Sequence, residues 1–336
     1  MIDRYSRQTL FPSIGKEGQR RLGNSCVLII GCGALGTIIA TSLVRAGVGK
    51  VRIIDRDFIE YHNLQRQVLF DEDDIRNGLP KAIAAEQRLK KVNSSVEIEG
   101  IVADVNYTNI ERFIGDADII LDGLDNFETR FLINDVSLKH RIPWVYGGAI
   151  SSSGMTMTII PGETPCFRCV SPSAPSTGMS LTCDTAGVIS PAPFIIGSLE
   201  SAEAMKILVG AEEINRDLII IDVWKGTFDR LKISAHQDCP ACRGIYEFLK
   251  GQFEVEFNLL CGQTAVQVMN PHVEQVSLEQ LAVRLKPVGE VSYNQFMLNF
   301  IVDGYEMVVF PDGQVIVKNT TDESLARGLY AKYIGI

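Results

Sequence analysis

Residues 26–30, Cys-Val-Leu-Ile-Ile, are apolar at every position, and the run ends in Gly31-Cys32-Gly33-Ala34-Leu35-Gly36. An unbroken apolar run of this length predicts a parallel strand buried on both faces. Residues 34–46 then carry helical spacing and stop at Gly47, a residue suited to ending a helix. "KVRIID" predicts the next strand, closing on Asp55, and "LPKAIAAEQRLKKVN" a helix with Lys81 in its first turn. "VEIEGIVAD" reads as strand, "TNIERFIG" as a short helix, and "ADIILDGLD" as a strand ending in aspartates. "NFETRFLINDVSLKH" reads as a helix capped by Asn126, and "IPWVYGGAI" as strand again. This succession predicts an α/β fold, a Rossmann-like doubly wound sheet with its ligand site at the carboxyl ends of the strands.

The pattern changes beyond residue 150. "SSSGMTMTIIPGETPCFRCV" predicts more strand, antiparallel in character, running into a first cysteine pair. "SPSAPSTGMSLTCDTAG" has no periodicity and reads as a loop. "PAPFIIGSLESAEAMKILVG" predicts a helix closed by Gly210, and "RDLIIIDVW" a strand leading to a second cysteine pair. A further small α+β unit follows, with a helix over 277–285, strands around 291–318 turning at Pro311-Asp312-Gly313, and a closing helix over 322–333. We therefore expect two domains, 1–248 carrying the nucleotide and cysteine chemistry and 249–336 with no assignable role.

Composition narrows the class. With 336 residues, 46% of them apolar, the chain can bury a large core. Its longest apolar runs fall well short of the roughly 18 residues that span a bilayer, so no membrane partner is expected. The opening "MIDRYSRQTL" is charged where a signal peptide needs an apolar stretch, which predicts a cytoplasmic enzyme. A net charge of −9 argues against nucleic acid as the main partner, yet leaves room for phosphate at one local site.

In the glycine loop Gly31 suits a tight turn, Gly33 lets backbone approach a phosphate, and Gly36 lets helix pack on strand. Asp55, ending the second strand, is placed to accept hydrogen bonds from a ribose. These residues alone do not separate NAD, FAD and ATP. Past Asp55, "YHNLQRQ" offers Asn63, Arg66 and Gln67, and Lys81 follows on the next helix. Converging cations suit a triphosphate better than a dinucleotide, although either alone reads as a solvated surface charge. Asp122 and Asp125 end the strand expected beside the first. Asp125, with Asn126 opening a helix, suits Mg²⁺ beside phosphate, and Asp122 suits a turn. The histidines (62, 140, 236, 272) show no metal spacing.

Two Cys-x-x-Cys units, Cys166/Cys169 and Cys239/Cys242, supply the four thiolates of a closed structural zinc site. The rival, a pair of redox dithiols, lacks the strand-to-helix context of a thioredoxin-like motif. Cys183, in the loop before "DTAGVISP", is either a nucleophile that captures an activated acyl group or an unreactive residue. Cys26 and Cys32 read as small core or turn residues, and Cys261 has no evident partner. Arg4 and Arg7, in "RYSRQ", read in isolation as a solvated arm.

Together "RYSRQ", "LIIGCGALG", "IIDRDFIEYHNLQRQ", "LPKA", "LDGLDN", "CFRC", "LTCDTAGVISP" and "CPAC" resemble the ThiF/MoeB/HesA family, prokaryotic relatives of the ubiquitin-activating enzymes, from residue 4 to 242. Cys32 and Leu124 depart from the residues usual at their places. The resemblance implies a homodimer that uses ATP and Mg²⁺ to adenylate the C-terminal glycine carboxylate of a small β-grasp sulfur-carrier protein ending in Gly-Gly. The acyl-adenylate then receives sulfur, with room for a donor such as a cysteine desulfurase. It implies that Gly33 and Ala34 face the phosphates, that Asp55 meets the ribose, and that Asn63, Gln65, Arg66 and Lys81 surround ATP. It places Asp125 at Mg²⁺ with Asn126 beside it. Arg7 is implied to reach the partner subunit's phosphates, as an arginine finger does in trans. Cys183 matches a loop cysteine tied to sulfur transfer in the thiamin branch and dispensable in the molybdopterin branch. The region after 250 resembles a small extension of some bacterial members. "CDTAGVISP" and that extension lean to the thiamin branch (a ThiS-like carrier) over a MoeB-type enzyme with a MoaD-like carrier. An NAD-dependent oxidoreductase would leave the cysteine pairs, "NLQRQ" and "LDN" unexplained, and a non-catalytic nucleotide-binding scaffold would have no use for intact Arg66, Lys81 and Asp125.

Overall fold

The structure, a computed structural model, describes residues 4–172, 187–251, 257–259, 264–268, 276–322, 325–326 and 329–334. It forms two units, Met1–Gln252 and Phe253–Ile336.

The first unit runs α1 (Gly15–Leu22), β1 (Cys26–Ile30), α2 (Ala34–Ala46), β2 (Lys50–Ile54), α3 (Glu72–Arg76), α4 (Lys81–Val92) and β3 (Glu97–Ile101). Then come α5 (Ile110–Ile114), β4 (Ile119–Asp122), α6 (Phe127–His140), β5 (Trp144–Ile150) and β6 (Ser153–Ile159). It ends with α7 (Phe167–Val170), α8 (Pro191–Val209), β7 (Leu218–Asp222) and β8 (Thr227–Leu231). One sheet holds all eight strands in the order β3-β2-β1-β4-β5-β6-β7-β8. The first five pair in parallel, and β6, β7 and β8 add antiparallel. The chain moves outward from β1 to β3, then returns to start β4 on the other side of β1. That reversal opens a crevice at the carboxyl ends of β1 and β4, the place where open α/β sheets bind ligands.

Strand β1 shows why the apolar run is continuous. Val27 and Ile29 join the core beneath α2, α4 and α8, while Leu28 and Ile30 join the core beneath α5 and α6. The period of two sends successive side chains to opposite faces, and helices cover both. On the second face Phe131 of α6 packs edge-on against Phe167 at 5.2 Å and stacks on Phe248 at 4.7 Å. A fully buried phenylalanine of this kind is worth about 3–5 kcal/mol against alanine.

The structure corrects the sequence reading in places. The segment into the first cysteine pair is strand only to Ile159, and Phe167–Val170 is a helical turn. Helix α1 and strand β8 add to the expected elements; β8 is exposed throughout, so it lacks the apolar alternation that marks a half-buried strand.

In the second unit, six antiparallel strands lie in the order β11-β12-β13-β14-β10-β9: β9 (Phe257–Leu259), β10 (Ala265–Val268), β11 (Glu290–Tyr293), β12 (Leu298–Val302), β13 (Tyr305–Val309) and β14 (Val315–Lys318). Helix α9 (Leu278–Leu285), capped by Ser277, buries Leu278, Leu281, Ala282 and Leu285 in the same core as Leu298, Phe300 and Val302. The turn at Pro311-Asp312-Gly313 joins β13 to β14, with the Gly313 N–H donating to Phe310 O. Asp303-Gly304, both in the left-handed region, make the β12–β13 hairpin. The closing segment ends in a π-helical stretch, Tyr330–Ile334. No described helix of the chain is long and apolar enough to cross a membrane.

Candidate functional site

Two loops meet in the crevice. Gly31 leaves β1 at φ +91°, in the left-handed region that favours glycine, and a Cβ there would lie 2.5 Å from Gly123 O. Conversely, a Cβ on Gly123 would lie 2.0 Å from Gly31 O, so the loops after β1 and β4 touch backbone to backbone. A Cβ on Gly36 would come within 2.1 Å of Gly31 O, which fixes how closely α2 packs on the loop. Gly33 differs: a Cβ there meets nothing nearer than 3.6 Å, so space lies open above its backbone. Gly33 is also the N-cap of α2 and has no side-chain cap, leaving N–H groups at the positive end of the helix facing the crevice.

Asp55 braces this loop. Its carboxylate accepts the Cys32 N–H at 2.6 Å and the Asp57 N–H at 2.7 Å. Burial raises its pKa to about 6, against the pull of Lys81. Lys81, almost fully buried at the start of α4, donates from Nζ to Asp57 Oδ2 at 2.9 Å, and its own N–H donates to Asp57 O at 2.9 Å. Burial would lower the lysine's pKa, but the charges of Asp57 and Asp55 overcome it and hold the ammonium protonated. Burial likewise works to raise Asp57, and Lys81 and Arg56 reverse that.

Asn63 is buried in the 3-10 turn Tyr61–Asn63, its Oδ1 accepting the Glu60 N–H at 3.0 Å. Arg66 donates to His62 O at 2.8 Å, and Gln65 reaches Val188 O at 3.4 Å. Gln67 is buried beside Gly33, its Nε2 3.9 Å from where a Cβ would stand, and its Oε1 has no protein partner. Ala34 opens α2 immediately after Gly33.

Across the crevice, Asp125 is exposed and close enough for its charge to act on Lys81, Arg56 and Arg130. Asn126 caps α6, its Oδ1 accepting the Thr129 N–H at 3.0 Å. Asp122 is a turn residue, its Oδ1 accepting the Leu124 N–H at 2.9 Å, and it pairs with Arg130 at 3.0 Å. Arg130, fully enclosed, went unassigned in the sequence, because only the fold brings β4, β5 and α6 together around it.

The N-terminal arm sits elsewhere. Arg4 donates to Val92 O, Tyr5 Oη accepts from Asn93, and Gln8 donates to Ala46 O, so the arm is pinned where α2 and α4 end. Thirteen residues of α2 separate that end from the glycine loop, about 20 Å at 1.5 Å per residue. Arg7 is exposed there and is not brought to this chain's own crevice. Cys183 and Cys261 lie outside the described residues, and Cys26 and Cys32 are buried.

The two cysteine pairs converge. The Sγ atoms of Cys166, Cys169, Cys239 and Cys242 all lie within 4.8 Å of one another, with separations of 3.8, 3.5, 3.6 and 3.4 Å among the pairs in contact. A tetrahedron with Zn–S bonds near 2.3 Å has edges of about 3.8 Å, so the donor set fits zinc. The His236 N–H donates to Cys169 Sγ at 3.3 Å. The cluster clasps the segment that follows β8 onto α6, where Asp135 Oδ2 accepts the Phe248 and Leu249 N–H groups at 2.9 and 3.3 Å.

Comparison with known proteins agrees with this geometry. The sequence profile of the ThiF family matches residues 5–241. The Sulfur carrier protein ThiS adenylyltransferase of Bacillus subtilis is 43% identical over 339 aligned positions, covering 100% of both chains. The Sulfur carrier protein adenylyltransferase of Thermus thermophilus is 36% identical over 72% of this chain and 90% of its own length. Among solved structures, Escherichia coli MccB with ATP superposes with a TM-score of 0.63 at 25% identity, covering 72% of this chain and 75% of that one.

Proposed function

The chain belongs to the ThiF family, and from that membership we propose that it adenylates the C-terminal glycine carboxylate of a small β-grasp sulfur-carrier protein of the ThiS kind, as the first step of sulfur transfer for thiamin thiazole synthesis. It is a nucleotidyltransferase that uses ATP. The observation that carries the choice of carrier is the alignment with the B. subtilis ThiS enzyme, which runs end to end through the second unit as well as the first.

In this reading the triphosphate lies over Gly33 and the N-terminus of α2, where the crevice is open and helix N–H groups point outward. The ribose hydroxyls meet Asp55, whose oxygens retain acceptor capacity beyond the two N–H bonds they hold. Asn63, Gln65, Arg66 and Gln67 surround the nucleotide; the unpartnered Gln67 oxygen supports this. The carrier's carboxylate attacks the α-phosphorus in line, the bond to the bridging oxygen breaks, and pyrophosphate leaves. Lys81 and Arg66 stabilise the charge that develops on the departing phosphates. Asp125, with Asn126 beside it, would hold Mg²⁺, which would supply positive charge against the phosphates. Cys166, Cys169, Cys239 and Cys242 hold a structural zinc. The chain works as a homodimer, Arg7 serving the partner subunit's phosphates. The arm's anchorage far from its own glycine loop supports this, as do Leu10 and Phe11, 70% and 58% exposed beside Arg7.

ATP–pyrophosphate exchange tests the reading. Exchange should appear with a ThiS-like carrier ending in Gly-Gly and be weaker with a MoaD-like one. A reversed preference would move the enzyme to molybdopterin synthesis. Absence of exchange with any such carrier, together with NADH binding, would overturn the adenylation reading.

A further inference from the structure

Beneath the crevice lies a charged pair that the chemistry above does not use. Asp122, ending β4, is fully buried, and Arg130, one turn into α6, is 5% exposed. Burying such a pair brings no net stability by itself, since desolvation offsets the attraction. What the pair does hold is one residue of backbone. Asp122 Oδ1 accepts the Leu124 N–H at 2.9 Å, and Arg130 Nη2 donates to Leu124 O at 2.7 Å. The same Nη2 donates to Gly147 O on β5 at 2.8 Å, and Nε donates to Asp122 Oδ2 at 3.0 Å. Both peptide groups of Leu124 are thus clamped to the sheet, immediately before Asp125.

Glu200 closes the arrangement from α8. It is fully buried, and its Oε1 would stand 1.9 Å from a Cβ on Gly147. Burial, reinforced by the Asp122 charge, pushes its pKa well up.

We propose that Asp122 and Arg130 are positioning residues, a clamp on Leu124 that fixes where the Asp125 carboxylate stands in the nucleotide crevice. This rests on the reading of Asp125 as the metal ligand. A side chain that orients a ligand-bearing backbone stands to the metal as an outer-shell partner does, and loss of such a partner costs about 10–100-fold in metal affinity.

The test uses the full-length protein with a non-hydrolysable ATP analogue. Arg130→Lys keeps the charge but not the planar fork, so it cannot hold Asp122, Leu124 O and Gly147 O together. Asp122→Asn keeps an acceptor for the Leu124 N–H and loses the ion pair. Thermal melting selects folded variants, so either one suffices. Amide exchange across 123–126 should accelerate. Mn²⁺ affinity in the presence of the analogue, read by electron paramagnetic resonance, should fall about 10–100-fold. Analogue affinity without metal should change little. Faster exchange with wild-type Mn²⁺ affinity would make the pair purely structural and overturn the proposal, as would unchanged exchange. Asp125→Asn separates the two ideas. If it leaves Mn²⁺ affinity intact, the metal reading fails alone, and exchange across 123–126 decides whether the clamp exists.

Discussion

The glycine loop offers two one-carbon perturbations with opposite expected consequences. In Gly36→Ala the new methyl would stand 2.1 Å from Gly31 O and 3.6 Å from Ile29 Cγ2. Its close neighbour is backbone, which cannot rotate aside, so α2 and the loop must part by about 1 Å. Overpacking of that kind costs roughly 3 kcal/mol, the upper end of its usual range. At about 2–4 °C per kcal/mol this lowers the melting temperature by roughly 6–12 °C. In Gly33→Ala the methyl meets nothing within 3.6 Å. Alanine is a poorer N-cap than glycine, so the fold loses about 1 kcal/mol or less. The methyl does occupy the space through which a phosphate would reach the helix N–H groups. Losing one charge-assisted hydrogen bond costs about 1.5–3 kcal/mol, or roughly 10- to 150-fold in affinity. Calorimetric melting and titration with a non-hydrolysable ATP analogue read the two effects separately. Gly33→Ala should melt near wild type and bind poorly. If it binds like wild type, the nucleotide does not lie over Gly33 and the assignment of the crevice fails.

Asp135 predicts a pH signature. Burial raises its pKa to about 6 from an ordinary 3.8, so between those values the native state keeps a proton that the unfolded chain has released. Its contribution to stability therefore falls as pH rises through that window, by roughly 3 kcal/mol in all, and is constant above it. The stability difference between wild type and Asp135→Asn, followed by denaturant titration, should shift by about that amount from pH 7 to 4; a constant difference refutes the assignment. A thiol-reactive mercurial should release one zinc per chain from the wild type and none from Cys166→Ser. Amide exchange should then rise across 166–172 and 236–245 but not in β1 or β4. Cys183→Ala should leave ATP–pyrophosphate exchange intact, and its loss in a folded variant would give that cysteine a role in adenylation.

Much of the crevice was legible because its chemistry is local. Gly31, Gly33 and Gly36 occupy one turn, and Asp55 ends the strand beside it, so strand–loop–helix grammar places them. Asp57 sits two residues past Asp55 and carries no local signal, because its partnership with Lys81 crosses from the loop after β2 to α4. Gly123 reads as a turn glycine, yet its lack of a side chain is demanded by Gly31 on the neighbouring strand. Arg130 looks like a surface charge on a helix, since nothing within α6 says that β4 and β5 will enclose it. Glu200 lies in a helix whose exposed stripe, Pro191, Ile195, Ser198 and Ala202, carries no charge, so no polar face sets a carboxylate apart.

The contact between the loops after β1 and β4 has a consequence for how this sequence can vary. A side chain on Gly31 would meet Gly123 O, and a side chain on Gly123 would meet Gly31 O. Neither glycine can be replaced first without pushing its neighbour's main chain, and replacing both brings two side chains into a gap that holds none. A drifting lineage therefore finds no intermediate step between this pair and any other. The two positions act as one inherited unit, although more than ninety residues of chain lie between them.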